Sequence, residues 1–300
     1  MSFEPPRDEL VREKFPQIEE LALLDKGGFK AVYRARIAGE TEAFKLIQLP
    51  RAENVDDAEA LRHEMIGRVR REVESLGKCQ VPEIVKLASM STTNVQIEER
   101  DYVGYSEEFL DGKDLWKLLR SATPKPDEPE LRVLFVSLLK AIRELWRHGY
   151  VHRDIKPLNV MKLNAKERPF VLLDLGIAYS VRETALTFNP SERIFATYRY
   201  LAPEMMMPGF RENMDYRSDL YAAALTVFEY GAQEHPLARD SDDRMQTISR
   251  ALHQPPKPLK DSRPDLSAEF CRIVDQMLKK KPALRPANLN TLIEQLGGTR

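Results

Sequence analysis

Val151-His152-Arg153-Asp154-Ile155-Lys156-Pro157-Leu158-Asn159 decides how this chain is read. Upstream of it, Leu131, Leu134, Phe135, Leu138, Ile142, Leu145 and Trp146 recur at helical spacing. They predict one long helix, with Gly149 as its stop. Downstream, Val160-Met161-Lys162-Leu163 reads as a strand. Phe170-Val171-Leu172-Leu173-Asp174-Leu175-Gly176 then gives an apolar run ended by an acid and a glycine. Thr197-Tyr198-Arg199-Tyr200-Leu201-Ala202-Pro203-Glu204 follows.

The bulk properties bound what these segments belong to. A length of 300 residues suits one large domain or two modest lobes. Apolar residues are 42% and charged residues 31%, enough for a sizeable core under an ordinary surface. Basic and acidic residues number 46 and 47, so the net charge of −1 points to no nucleic-acid or membrane partner. Cys79 and Cys271 lack CxxC spacing, which argues against a metal site and a disulfide framework. They read as buried or idle thiols in a reducing cytosol. Met1 to Leu10 carries Glu4, Arg7, Asp8, Glu9 and Pro5-Pro6 and is no signal peptide. The run Ala222 to Phe228 is too short to span a bilayer. The expectation is a soluble cytoplasmic protein whose oligomeric state the sequence does not reveal.

Organisation changes along the chain. Leu21 to Leu24, Ala31 to Ile37 and Glu42 to Leu49 are strand-like, and Pro50 to Val55 reads as a loop. Between Asp56 and Leu76, Leu61, Met65, Val69, Val73 and Leu76 mark a helix. Strands are expected near Ile84 to Ala88, Asn94 to Glu98 and Tyr102 to Phe109. After Gly112 the chain turns helical, with further helices at Asp219 to Tyr230, Arg244 to Leu252, Ser267 to Leu278 and Ala287 to Leu296. The plan is a strand-rich lobe, a short hinge and a larger helical lobe, with a ligand expected in a crevice between lobes.

The segments around Asp154, Asp174 and Glu204 resemble the catalytic loop, metal-binding motif and Ala-Pro-Glu motif of the protein kinase family, in the family's order. A lone Asp is as well explained as a plain loop acid; the three segments together remove that reading. The resemblance runs from about residue 19 to 296 and implies an α+β, bilobal fold: a small antiparallel-sheet N-lobe with one long helix (about 19–107), a hinge (about 108–112) and a larger helical C-lobe (about 113–296), all within one domain over 1–300. It implies ATP and Mg2+ as cofactors, with Mn2+ as an alternative ion, and protein substrates with Ser or Thr acceptors. Phosphoryl transfer puts charge on oxygen in a loose transition state, so metal ions, an aligned hydroxyl and neutralising cations are needed. By resemblance, Asp154 is the base that takes or orients the hydroxyl proton, and Lys156 contacts the transferring phosphate. Asp174 and Asn159 are the metal ligands, hard oxygen donors of the kind magnesium prefers.

The small lobe supplies the rest. Ala43-Phe44-Lys45-Leu46-Ile47 resembles the strand whose lysine grips the α and β phosphates. Lys45 lies between apolar neighbours and asks for a partner, which Glu72 offers from the apolar stripe of its helix; Glu64 is a weaker competitor. Leu24-Asp25-Lys26-Gly27-Gly28-Phe29-Lys30-Ala31-Val32-Tyr33 matches the glycine-rich loop with Asp25 and Lys30 at two glycine positions. Lys26, Gly27, Gly28, Phe29 and Val32 are the candidates there, although the stretch taken alone is better explained by a simple hairpin turn. With Ala43, they join Glu108 and Leu110 of the hinge and Asp114, placed for ribose, in the nucleotide site. The position beside the adenine falls on Glu107, or on Ser106 if the spacing slips by one.

Asp219 matches the acid that braces the catalytic loop, and Arg285 the arginine that pairs with Glu204. Arg153 matches the arginine that reaches a phosphate on the segment between Asp174 and Glu204. Thr184, Thr187 and Ser191 are the candidate regulatory sites, and Thr197 matches a structural threonine. Alternatively Arg153 pairs with Glu183 or Glu192 and no phosphate is needed. Two rival functions stand beside an active kinase: a pseudokinase-type binding or scaffolding module, favoured by the altered glycine loop, and a small-molecule phosphotransferase of related fold.

Overall fold

The computed structural model describes residues 3–49, 58–175, 198–207 and 215–299, apart from the side chains of 58–61, 64 and 68. Alternation builds its sheet. Strand β2 (Lys30–Ile37) buries Ala31, Tyr33, Ala35 and Ile37 and turns the residues between them the other way, the period-2 pattern of a pleated strand. With β1 (Ile18–Gly27), β3 (Glu40–Gln48), β4 (Thr93–Ile97) and β5 (Arg100–Glu108) it forms an antiparallel sheet of order β1-β2-β3-β5-β4.

The two faces of this sheet have different coverings. Tyr33, Phe44, Leu46 and Tyr102 form one core with Val11 of α1 (Asp8–Lys14) and with Phe15. The Phe15 ring meets Phe44 edge-on at 4.9 Å, a favoured aromatic geometry. Gly104 makes this possible, since a Cβ there would come within 2.6 Å of Phe15 Cζ. The other core joins Leu49, Val103 and Tyr105 to Val69 of α2 (Ala58–Lys78). These elements, with Val85–Leu110, make one compact unit.

The strand expected at Ile84 to Ala88 is absent as a continuous element. Ile84 bridges Leu172 and Leu87 bridges Glu107 as isolated pairs. The reason is a change of allegiance: Cys79–Ile84 belongs to the second unit, and Val85 onward to the first. Gln80 N donates to Glu144 Oε1 at 3.0 Å, and Leu172 N donates to Glu83 O at 2.9 Å.

The second unit is mainly helical. Helix α4 (Glu128–Arg147) starts where Asp127 accepts from Glu130 N at 2.9 Å, a side-chain cap for an orphan amide. A small antiparallel sheet follows in the order β6 (Gly112–Asp114), β7 (Val160–Leu163), β8 (Phe170–Leu172). Short α3 (Leu115–Leu119) follows β6. Helix α5 (Arg217–Ala232) is buried from Ser218 to Ala232, its polar side chains included. The unit is completed by α6 (Arg244–His253), α7 (Leu259–Ser262), α8 (Ala268–Met277) and α9 (Leu289–Gln295). Cys79 and Cys271 are both buried. Among the described residues no helix is long and apolar enough to cross a membrane.

Candidate active site

The loop after α4 is tied down from below by a buried acid. Asp219 lies in the first turn of α5, and its Oδ2 and Oδ1 accept from His152 N at 2.7 Å and Arg153 N at 2.8 Å. Burial pushes its carboxyl above the usual range, while the two backbone amides and the Arg153 charge pull the other way. An acid at this end of a helix is also favoured by the aligned peptide dipoles. His152, wholly buried, reaches Leu173 O through Nε2 at 3.1 Å.

This anchoring presents Asp154. Its two carboxylate oxygens each take Lys156 Nζ at 2.8 Å. Asn159 Nδ2 donates to Asp154 O at 2.8 Å and to its Oδ2 at 2.9 Å. Charge-assisted bonds of this kind are short and directional. They fix the acid's rotamer while leaving it a proton acceptor. Arg153 and Asp174 take φ of 69° and 45°, left-handed values that cost a non-glycine residue on the order of 1 kcal/mol or more.

Asn159 and Asp174 suit a hard cation. Asn159 spends its amide nitrogen on Asp154, so the oxygen is the atom it can offer. Leu173 N donates to Asn159 O at 2.8 Å, which ties the residue before Asp174 to Asn159. One carboxylate and one amide oxygen on a braced backbone match magnesium's preference.

Glu204 and Arg285 form a two-point pair in the same unit. Arg285 Nη1 lies 2.6 Å from Glu204 Oε1, and Nη2 lies 2.8 Å from Oε2. Ser218 Oγ donates to the same carboxylate at 2.8 Å, and the guanidinium stacks 4.9 Å from the Tyr221 ring centre. Asp114 caps α3 by accepting from Lys117 N at 2.8 Å, and Lys117 Nζ lies 3.0 Å from its Oδ2.

Lys45 belongs to the sheet unit, where strand register settles its surroundings. It pairs with Val32 on β2 and with Tyr105 on β5, while Ala43 pairs with Glu107. Val32, Ala43, Lys45, Tyr105 and Glu107 therefore share one face. Lys45 Nζ donates to Glu107 Oε1 at 2.6 Å. Tyr105 Oη donates to Glu72 Oε1 at 3.2 Å, and carboxylate oxygens of Glu72 and Glu107 lie within 4.8 Å of each other. Ser106 points to the opposite side, where its Oγ donates to Glu42 Oε2 at 2.6 Å. Of the two residues considered for the position beside adenine, Glu107 shares the face of Lys45. Its bond to Lys45 was not foreseen. The available signal was an acid on the same side of a strand as Tyr105.

The glycine-rich stretch is a tight hairpin. Gly27 pairs with Lys30, and Gly28 takes φ +60° while Phe29 is not left-handed. Glycine at the first central position is what a two-residue type II′ connection requires. The register shifts between Leu23 and Asp25, a bulge beside one missing glycine. Lys26 Nζ donates to Glu4 Oε2 at 2.6 Å, an exposed pair. In the hinge, Glu108 N donates to Lys86 O at 2.9 Å and its Oε1 accepts from Lys86 N at 2.7 Å, while Leu110 is half-buried. Thr184, Thr187, Ser191 and Thr197 lie outside the described residues, as does the side chain of Glu64.

Comparison with known proteins gives the family and the fold. A family model described as the protein kinase domain matches residues 18–296. The serine/threonine-protein kinase PknJ of Mycobacterium tuberculosis is 29% identical over 269 residues, which are 88% of this chain and 42% of PknJ. A probable serine/threonine-protein kinase of Streptomyces coelicolor is 28% identical over 265 residues, 88% of this chain and 37% of that protein. The chain thus spans about two fifths of the length of these relatives. The kinase domain of PknI from Mycobacterium tuberculosis superposes with a TM-score of 0.61 at 20% identity, covering 94% of this chain and 97% of that one. Rad53, solved in complex with AMP-PNP, gives 0.66 at 22% identity, covering 92% and 65%. At these identities the structures speak for the fold alone. The family model, which runs through both the sheet and the helical unit, identifies the chain as a member of the protein kinase domain family.

Proposed function

We propose that this chain is an ATP- and magnesium-dependent protein kinase that phosphorylates Ser or Thr hydroxyls of protein substrates and also phosphorylates itself. The observation that carries this reading is the Asp154 carboxylate, held by Lys156 and Asn159 on a loop braced by Asp219. In the proposed step, the acceptor oxygen forms a bond to the γ-phosphorus as the bond to the β-bridging oxygen breaks, and ADP departs. Asp154 takes the hydroxyl proton. Lys156, already at its carboxylate, moves its charge onto the oxygens of the group in transit. Asp174 and Asn159 would hold magnesium, which supplies charge neutralisation across the phosphates. Lys45 would hold the α and β phosphates, and Asp114 would meet the ribose with what its cap leaves available.

The direct experiment is mass spectrometry of the purified chain after incubation with ATP and magnesium, with an added protein acceptor. Phosphate on Ser or Thr of chain and acceptor is expected. One observation favours a second reading, a nucleotide-binding module without transfer: the tight hairpin at Gly28 carries Asp25 and Lys30 where the family has glycines. ATP binding with no phosphate on either protein would select it.

A further inference from the structure

Lys45 lies in an unusual electrostatic setting. On a buried face stand one ammonium, two carboxylates and a phenol: Lys45 is 4% exposed, Glu107 2%, Glu72 7% and Tyr105 1%. Leu49, Val69 and Val103 form an apolar cluster with Tyr105. A buried carboxylate is costly unless it is paired, and here two carboxylates lie within 4.8 Å of each other. Glu72 takes the hydroxyl of Tyr105. Glu107 takes the ammonium itself, at 2.6 Å. The ammonium also stands 5.6 Å from the Tyr105 ring centre, so the tyrosine steadies both ends of the arrangement.

We propose that Glu107 is a positioning residue that holds Lys45 and competes with nucleotide phosphates for it, so that it sets the affinity of this chain for ATP. The inference rests on the kinase reading given above. Its physical basis is that Glu107 and a phosphate are both anions seeking the same three ammonium donors. The phosphate gains Lys45 only by weakening a charge-assisted bond in a low-dielectric setting. It also meets the remaining charge of Glu107 near the same ammonium. Strand geometry makes the bond persistent. Lys45 lies opposite Tyr105, and Glu107 is the diagonal neighbour on the same face, within reach of two long side chains.

The test uses the full chain, with lysine carrying 13C at Cε and the Lys45 resonance assigned through Lys45→Arg. In Glu107→Gln, an isosteric change that removes the charge, the Lys45 resonance is expected to move without any nucleotide present. The Kd for ATP with magnesium is expected to fall about tenfold, equivalent to about 1.4 kcal/mol. Glu107→Asp, which keeps the charge, is expected to stay near the wild-type affinity. An unmoved Lys45 resonance overturns the proposal. So does unchanged or weaker ATP binding in a folded Glu107→Gln chain, which is what a merely structural role would give. If Glu107→Gln does not fold, Glu107→Met fills the site with an apolar chain of similar length and is held to the same outcomes. A wild-type chain that binds no ATP overturns the kinase reading and the competition together. That case is told apart by the lysine resonance, which needs no nucleotide.

Discussion

Asp154 is restrained by two side chains that both donate to it, and this makes its substitution informative. In Asp154→Asn the shape is kept, but one acceptor becomes a donor facing Lys156 Nζ and Asn159 Nδ2. Transfer is expected to fall by roughly 10²–10⁴-fold, the usual worth of a positioned proton acceptor. A phosphotransfer assay checks this, and a melting curve close to wild type shows that the fold is kept. Near-normal transfer would remove Asp154 from the role of base. Asp154, Lys156 and Asn159 were legible in the sequence because they meet within one short loop. Lys45 and Glu107 were not legible as a pair, since they are 62 residues apart. Their meeting depends on the register between β3 and β5, and no local pattern states it. A shift by one residue would have put Ser106 on that face instead.

At the scale of elements, the loop leaving α5 holds a histidine whose protonation is fixed by its neighbours. His235 Nδ1 accepts from Leu237 N at 3.1 Å and Ala238 N at 2.8 Å, so the proton sits on Nε2, which donates to Arg199 O at 3.0 Å. Burial first, and then the nearby Arg199 charge, push its pKa down to about 3. A free imidazole titrates near 6.5. Between those values the unfolded chain binds a proton that the folded chain refuses, so stability rises with pH there. His235 is therefore expected to cost stability as pH falls from about 6.5 toward 3, with a slope of about 1.4 kcal/mol per pH unit for one proton. An NMR titration checks the cause: the ring should remain neutral at pH 5, and a midpoint near 6.5 would refute the assignment. Elements with a clear period, such as β2, α2 and α4, could be read from the sequence. Helix α1 could not, because a 7-residue run with one buried residue carries no period. Helix α5 was placed by its apolar content and by the Asp219 match, since a helix buried on all sides offers no polar face to mark its turn.

On the scale of the whole molecule, Arg285 and Glu204 join chain segments 81 residues apart. The Arg285 side chain is fully buried, and it also donates to the carbonyls of Lys279, Lys280 and Arg217. Arg285→Ala takes the cation from Glu204, which keeps the Ser218 hydroxyl, and the donors from three carbonyls, so a loss of roughly 3–5 kcal/mol is expected in denaturant unfolding. An unchanged midpoint would show that the pair does not hold the helical unit together. Nucleotide gives a second global test. ATP with magnesium should raise the melting temperature, as any ligand of the folded state does, and excess chelator should abolish transfer. Transfer that survives chelation would exclude the proposed role of Asp174 and Asn159. Composition announced a strand-rich half and a helical half correctly, but not that a short strip would leave its neighbours in sequence. That strip, Cys79–Ile84, limits how the molecule can be dissected. A gene fragment beginning at Asp111 would encode most of the helical unit yet omit the donor to Glu144, the backbone partner of Leu172 and the carbonyl that Arg168 meets at Ile84. Such a fragment should fold poorly by itself and recover when 79–84 is supplied as a peptide or grafted ahead of it.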